Sequence, residues 1–124
     1  MTRLGWLIVY HGVSEGDSAA HELCYSAGVM VLSKEHPQVI RYRSQDPVLT
    51  PSLPQERDGT VANVVFPTGI DRRDDIGSPD RFDVYYGMAD QRIGVARLDV
   101  PETLPLGAAA DPPAAECAAL HVRD

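Results

Sequence analysis

Apolar residues gather in short β-branched runs separated by polar turns, and the clearest run is Val61 to Phe66. Pro67-Thr68-Gly69 follows it, so the pattern predicts a buried strand closed by a tight bend. After a polar loop from Asp71 to Arg81, the segments Phe82 to Asp90 and Arg92 to Asp99 predict two more strands, with Gly87-Met88-Ala89-Asp90 turning the chain between them. Three successive strands with short connections form an antiparallel meander. Nearer the start, Gly5 to Gly12 predicts a strand, Val13 to Ala20 a small polar loop, and Glu22 to Leu32 a second strand. Gly28 falls where a strand bends or another group approaches closely. Val39 to Arg43, past a turn holding Pro37, reads as a short charged edge strand. Asp46 to Gly59 carries three prolines and predicts an irregular surface connection. Beyond Pro101 the chain is rich in Ala and Pro, so 101–124 predicts a weakly ordered tail, with Ala114 to Leu120 able to form a short helix. The fold class expected is all-β, confined to residues 1–100.

The pattern repeats. Val9-Tyr10-His11-Gly12 aligns with Val84-Tyr85-Tyr86-Gly87 at an offset of 75 residues, and Ala27-Gly28-Val29 aligns with Ile93-Gly94-Val95 at an offset of 66. Repeated meanders suggest propeller blades. The second copy has a strand before it, Val61 to Phe66, in the innermost position of its blade, whereas the first copy has none, so Met1 is expected to fall inside a blade. The expectation is a partial propeller of about two blades, the first lacking its inner strand, where a closed propeller takes at least about four.

Composition narrows the functional classes. A net charge of −7 provides no basic stripe, which argues against a nucleic-acid binder. Leu4 to Val9 is far too short to span a membrane and is not followed by a cleavage site, so no membrane association is expected. The two cysteines, Cys24 and Cys117, do not make a zinc pattern and read as free thiols in a reducing compartment. His11, His21, His36 and His121 show no ligand spacing with carboxylates, so no metal is expected.

Three motifs together resemble one known family. Gly5-Trp6-Leu7-Ile8-Val9-Tyr10-His11-Gly12-Val13, Asn63-Val64-Val65-Phe66-Pro67-Thr68-Gly69 and Val84-Tyr85-Tyr86-Gly87-Met88-Ala89-Asp90 are similar to the C-terminal part of glycoside hydrolase family 130, over about Thr2 to Val100. The resemblance implies a five-bladed β-propeller and a cytoplasmic enzyme. Such an enzyme cleaves a β-mannosidic bond with inorganic phosphate as co-substrate, giving mannose 1-phosphate, or else with water, and needs no cofactor.

Carried over by position, His11 and Tyr25 match phosphate contacts, while Phe66 and Asp90 match contacts to the mannose. An imidazole N–H and a phenol O–H donate to phosphate oxygens, a phenyl ring faces sugar C–H groups, and a carboxylate accepts from adjacent hydroxyls. Each residue also has a plain reading. His11 can satisfy a backbone carbonyl at a strand end, Tyr25 and Phe66 can fill core, and Asp90 can cap a turn. The resemblance places the family's proton-donor aspartate and phosphate-holding arginines upstream of Met1, so no catalytic residue is assigned. Arg72-Arg73-Asp74-Asp75 reads as a solvated loop, with Asp71 and Asp83 as turn and edge residues.

Three functional readings follow: a truncated or split mannoside phosphorylase, either a gene fragment or a piece that needs the missing blades as a separate chain, or self-association; a small carbohydrate-binding or interaction module without chemistry; and a remnant with no function and with unpaired edges. Retention of His11 and Tyr25 favours phosphate over water as the nucleophile. An unclosed propeller is expected to leave Val64, Phe66 and Tyr85 partly wet.

Overall fold

The computed structural model describes residues 1–15 and 22–105. They form two three-stranded antiparallel sheets. The first contains β1 (Trp6–Glu15), β2 (Leu23–Leu32) and β3 (Ile40–Arg43) in that order. A connector with a single-turn helix, α1 (Pro54–Arg57), leads to the second, built from β4 (Val65–Arg72), β5 (Arg81–Met88) and β6 (Arg92–Asp99). The expected tail helix and Cys117 lie outside the described residues.

Several boundaries differ from the expectation. β1 runs on to Glu15, because Val13 and Ser14 still pair with Tyr25 and Cys24 across the sheet. β4 begins only at Val65 and continues through Pro67 and Gly69 to Arg72. The proline does not stop the strand because β4 is an edge strand and its pairing to β5 slips between Pro67 and Gly69, a bulge that needs no N–H at that position. Thr68, the extra residue, donates its hydroxyl to the Tyr85 carbonyl at 3.3 Å. Asn63, just before the strand, takes a left-handed φ of 58° and turns the chain into it.

The repeat is present in space but shifted by one residue from the correspondence that the sequence suggests. Tyr10 lies opposite Gly28 and Tyr86 opposite Gly94, so Tyr10 corresponds to Tyr86 and not to Tyr85. In each pair the tyrosine ring covers the glycine. A Cβ at Gly28 would lie 2.6 Å from Tyr10 Cζ, and one at Gly94 would lie 2.7 Å from Tyr86 Cζ. One residue of register exchanges the faces of a strand, so Tyr86 points into the core while Tyr85 points out.

The core is the layer between the sheets, centred on Ala27, Leu49, Val65, Tyr86, Met88 and Ala96. Beside it an apolar cavity of about 560 Å³ opens between Val29, Val31, Val48 and Leu98. Val64 is buried, against expectation, because Asn63–Val64 is seated along β2: Tyr25 donates its N–H to the Asn63 carbonyl at 2.9 Å. Phe66 and Tyr85 are exposed as expected. Asp83 is not an edge residue. It lies buried in the central strand β5, where Arg73 reaches it at 2.8 Å and Arg97 at 3.5 Å. Cys24 is buried and disulfide-bonded, which corrects the free-thiol expectation for it. Among the described residues no helix is long and apolar enough to cross a membrane.

Candidate functional site

His11 sits in β1 diagonally across from Tyr25 in β2, and strand alternation places both on the face that looks toward the second sheet. Phe66, the second residue of β4, comes over from that sheet. The His11 and Phe66 rings lie 4.3 Å apart between centroids and 36° from parallel, and the Tyr25 ring is 6.4 Å from His11. Three of the expected site residues therefore form one cluster where the sheets meet, and His11 and Phe66 are exposed there.

Asp90 stands apart from those rings, at the tip of the β5–β6 hairpin. Ala89 and Asp90 both adopt left-handed φ, 49° and 52°, and Gln91 donates its N–H to the Met88 carbonyl at 3.0 Å, which is the signature of a type I′ turn. That turn prefers Gly or Asn at both positions, so Ala89 holds a strained conformation under external support. The support is visible: Ala89 donates to Val64 O and accepts from Val61 N, both at 3.0 Å. Gly59 lets the connector close on it, since a Cβ there would meet Ala89 Cβ at 2.6 Å. Asp90 is exposed, and its carboxylate has no hydrogen bond or ion pair among the described residues.

Two elements of the site are not legible in the sequence alone. Glu56 falls in the stretch expected to be a surface connection, yet it is 1% exposed. Its carboxylate reaches back to the N–H of Leu53 at 3.1 Å and of Ser52 at 2.8 Å, and accepts the Tyr86 hydroxyl at 2.7 Å. Pro54 in the first position of a turn and Glu two residues later is the available signal, a weak one for so short a helix. Asn63 is the second. Its backbone joins β2 to the connector, and its side chain donates to Glu22 at 3.4 Å.

The charged run lies at the opposite end of β4 and β5 and is structural. Arg72 pairs with Asp74 and Asp80, each at 3.1 Å, and Arg73 with Asp75 at 3.0 Å. Met1, upstream of which the resemblance puts the proton donor, is exposed and stands at this charged end, where its carbonyl accepts from Arg72 Nη2. The start of the chain is thus anchored to the second sheet at the far end of β4 from Phe66, and Met1 is no part of the ring cluster. Asp80 is buried. Burial alone would push its carboxyl up, but Arg3, giving both its Nε at 2.8 Å and its backbone N–H at 3.0 Å, outweighs this with help from Arg72 and holds it below the usual range. On the outer face of the first sheet a cleft of about 420 Å³ passes Tyr10, Ser26, Arg43 and Asp46, with Arg43 Nε donating to the Tyr10 hydroxyl at 3.2 Å.

The glycoside hydrolase family 130 model, described as beta-1,4-mannooligosaccharide phosphorylase, matches residues 1–107. The chain belongs to glycoside hydrolase family 130. It is 38% identical over 95 residues to a beta-1,2-mannobiose phosphorylase of Thermoanaerobacter sp. strain X514, a match covering 77% of this chain and 28% of that one. It is 34% identical over 103 residues to a beta-1,4-mannooligosaccharide phosphorylase of Ruminococcus albus, covering 83% and 29%. Among solved structures it resembles the beta-1,2-mannobiose phosphorylase of Listeria innocua in complex with beta-1,2-mannobiose, with a TM-score of 0.62, 29% identity, and 80% of this chain against 25% of that one. The chain thus spans less than a third of the length of these relatives.

Proposed function

We propose that this chain supplies part of the sugar and phosphate site of an inverting β-mannoside phosphorylase, as about two C-terminal blades of a five-bladed propeller. The observation that carries the reading is the meeting of His11, Tyr25 and Phe66 across the two sheets, with the His11 and Phe66 rings exposed and 4.3 Å apart. In this reading His11 N–H and the Tyr25 hydroxyl donate to phosphate oxygens, Phe66 offers an apolar platform to a pyranose face, and Asp90 accepts from two sugar hydroxyls. A phosphate oxygen bonds to the anomeric carbon as the mannosidic C–O bond breaks on the opposite side. The departing oxygen takes a proton from an acid that blades upstream of Met1 provide, and the product is mannose 1-phosphate.

The test is phosphorolysis. The purified chain is incubated with β-mannosyl disaccharides, with and without inorganic phosphate, alone and together with the N-terminal portion of a family 130 relative. Phosphate-dependent release of mannose 1-phosphate from the mixture, and no turnover by the chain alone, is the expected result. Release from the chain alone would overturn the absent-acid reading, release of free mannose in place of the phosphate ester would reassign the chain to the hydrolytic branch, and silence of the mixture would favour a non-catalytic module.

A further inference from the structure

A buried carboxylate is expensive unless its oxygens are satisfied, and a neutral side chain of the same length would occupy the space of Glu56 at lower cost. Glu56 has no ion-pair partner among the described residues. It is satisfied by hydrogen bonds alone: the N–H groups of Ser52 and Leu53, the Ser52 hydroxyl at 3.5 Å, and the Tyr86 hydroxyl at 2.7 Å from the other oxygen. These donors come from two places far apart in sequence, the connector and the central strand of the second sheet, so the carboxylate fixes α1 against β5.

What α1 then fixes is the site. The Glu56 carbonyl accepts the N–H of Val64 at 3.1 Å, and the Arg57 carbonyl accepts that of Asn63 at 3.2 Å. On its other side the same dipeptide holds Tyr25, whose N–H goes to Asn63 O at 2.9 Å, and Ala89, whose N–H goes to Val64 O at 3.0 Å. Phe66 follows Val64 by two residues and Asp90 follows Ala89 by one. The supports of Tyr25, Phe66 and Asp90 therefore converge on one dipeptide, clamped by one short helix, anchored by one buried hydrogen bond.

We propose that the Glu56–Tyr86 pair is a positioning device. It sets where Phe66 and the Asp90 turn stand relative to His11 and Tyr25, and neither partner touches ligand. The importance of that placement rests on the proposed sugar and phosphate site, but the placement itself is measurable without ligand. Tyr86→Phe removes a single oxygen and keeps the ring over Gly94, so it tests the hydrogen bond with little change of packing. Glu56→Gln keeps the shape and serves as the second variant if Tyr86→Phe does not fold.

The readout is the chemical shift of the His11 ring protons in the full chain, since a phenyl ring 4.3 Å away shifts them by its ring current. Phe66→Leu calibrates the whole of that contribution. In a Tyr86→Phe protein that keeps its strand circular dichroism, the His11 resonances are expected to move at least halfway to their Phe66→Leu positions. In a parent chain whose His11 resonances respond to inorganic phosphate, the midpoint of that titration should also rise by about tenfold, the equivalent of one well-formed hydrogen bond. A lowered melting temperature with His11 resonances unmoved would mean that the pair stabilises without positioning, and would overturn the proposal. Movement of His11 in a parent that ignores phosphate and mannosides would support the positioning device while removing the ligand reading.

Discussion

Two glycines that look alike in sequence differ in what stands over them. Gly28 lies under Tyr10, which is half-buried at the surface; Arg43 donates to its hydroxyl at 3.2 Å with the guanidinium 5.3 Å from the ring centroid, and both are surface side chains that can shift together to admit a methyl group. Gly94 lies under Tyr86, which is 4% exposed and tied to Glu56, and its Cβ would also meet Met88 Sδ at 2.8 Å. Gly94→Ala is therefore expected to cost about 1–3 kcal/mol as overpacking, and Gly28→Ala distinctly less, in denaturant unfolding of the two variants. Equal costs would show that both rings are equally free. The one-residue error in the sequence alignment of the repeat has the same root. Tyr85 and Tyr86 are adjacent and chemically identical, and only the face each occupies, set by pairing to Gly94, tells which one is the counterpart of Tyr10.

Elements are legible where their signal is local. β2, β3, β5 and β6 follow from runs of apolar and β-branched residues bounded by turns, and they fall within one or two residues of expectation. β4 departs from expectation because a proline reads as a stop unless the strand is known to lie at an edge with a bulge, which is a property of the sheet and not of the segment. Glu56 is hidden for a related reason. A charged residue among prolines reads as solvated until its donors, one of them Tyr86 thirty residues on, are in view. Of the site, the identities of His11, Tyr25, Phe66 and Asp90 are visible through family resemblance, while the convergence of their supports on Asn63–Val64 is not. The charged end of the second sheet makes its own prediction. Asp80 clips the start of the chain to β5 through Arg3, and its carboxyl is depressed below the ordinary 3.8, so it binds its proton less readily folded than unfolded. A depressed carboxyl stabilises above its unfolded value, and that contribution is lost as pH falls through the folded value. Asp80→Asn is expected to destabilise by about 1–3 kcal/mol at neutral pH, with the gap from the parent closing as pH drops below about 4 in thermal melts. A gap that stays constant with pH would assign the loss to hydrogen bonding alone.

At the scale of the molecule, the outer face of the second sheet has no covering layer among the described residues. Tyr85 pairs with Val95 and Gly87 with Ile93, so Tyr85, Val95 and Ile93 share that face. Their exposures are 40%, 53% and 78%. Each large apolar side chain left wet forfeits roughly 1.5–3 kcal/mol of burial, a large part of a domain stability of about 5–15 kcal/mol. Among the described residues β1, β3, β4 and β6 are the edges of their sheets, and an edge strand is a template for pairing with another chain. A chain with these features lowers its free energy by association, and mass action then makes its stability depend on concentration. The expected outcome is a melting temperature that climbs as chain concentration is raised, with sedimentation velocity showing species larger than 13.5 kDa. Ile93→Lys puts a charge on the most exposed apolar position of that face, so it should return the chain to a monomer with a lower, concentration-independent melting temperature. A parent that sediments as a monomer and melts in one sharp transition at every concentration would show that the two sheets bury enough between them to stand alone.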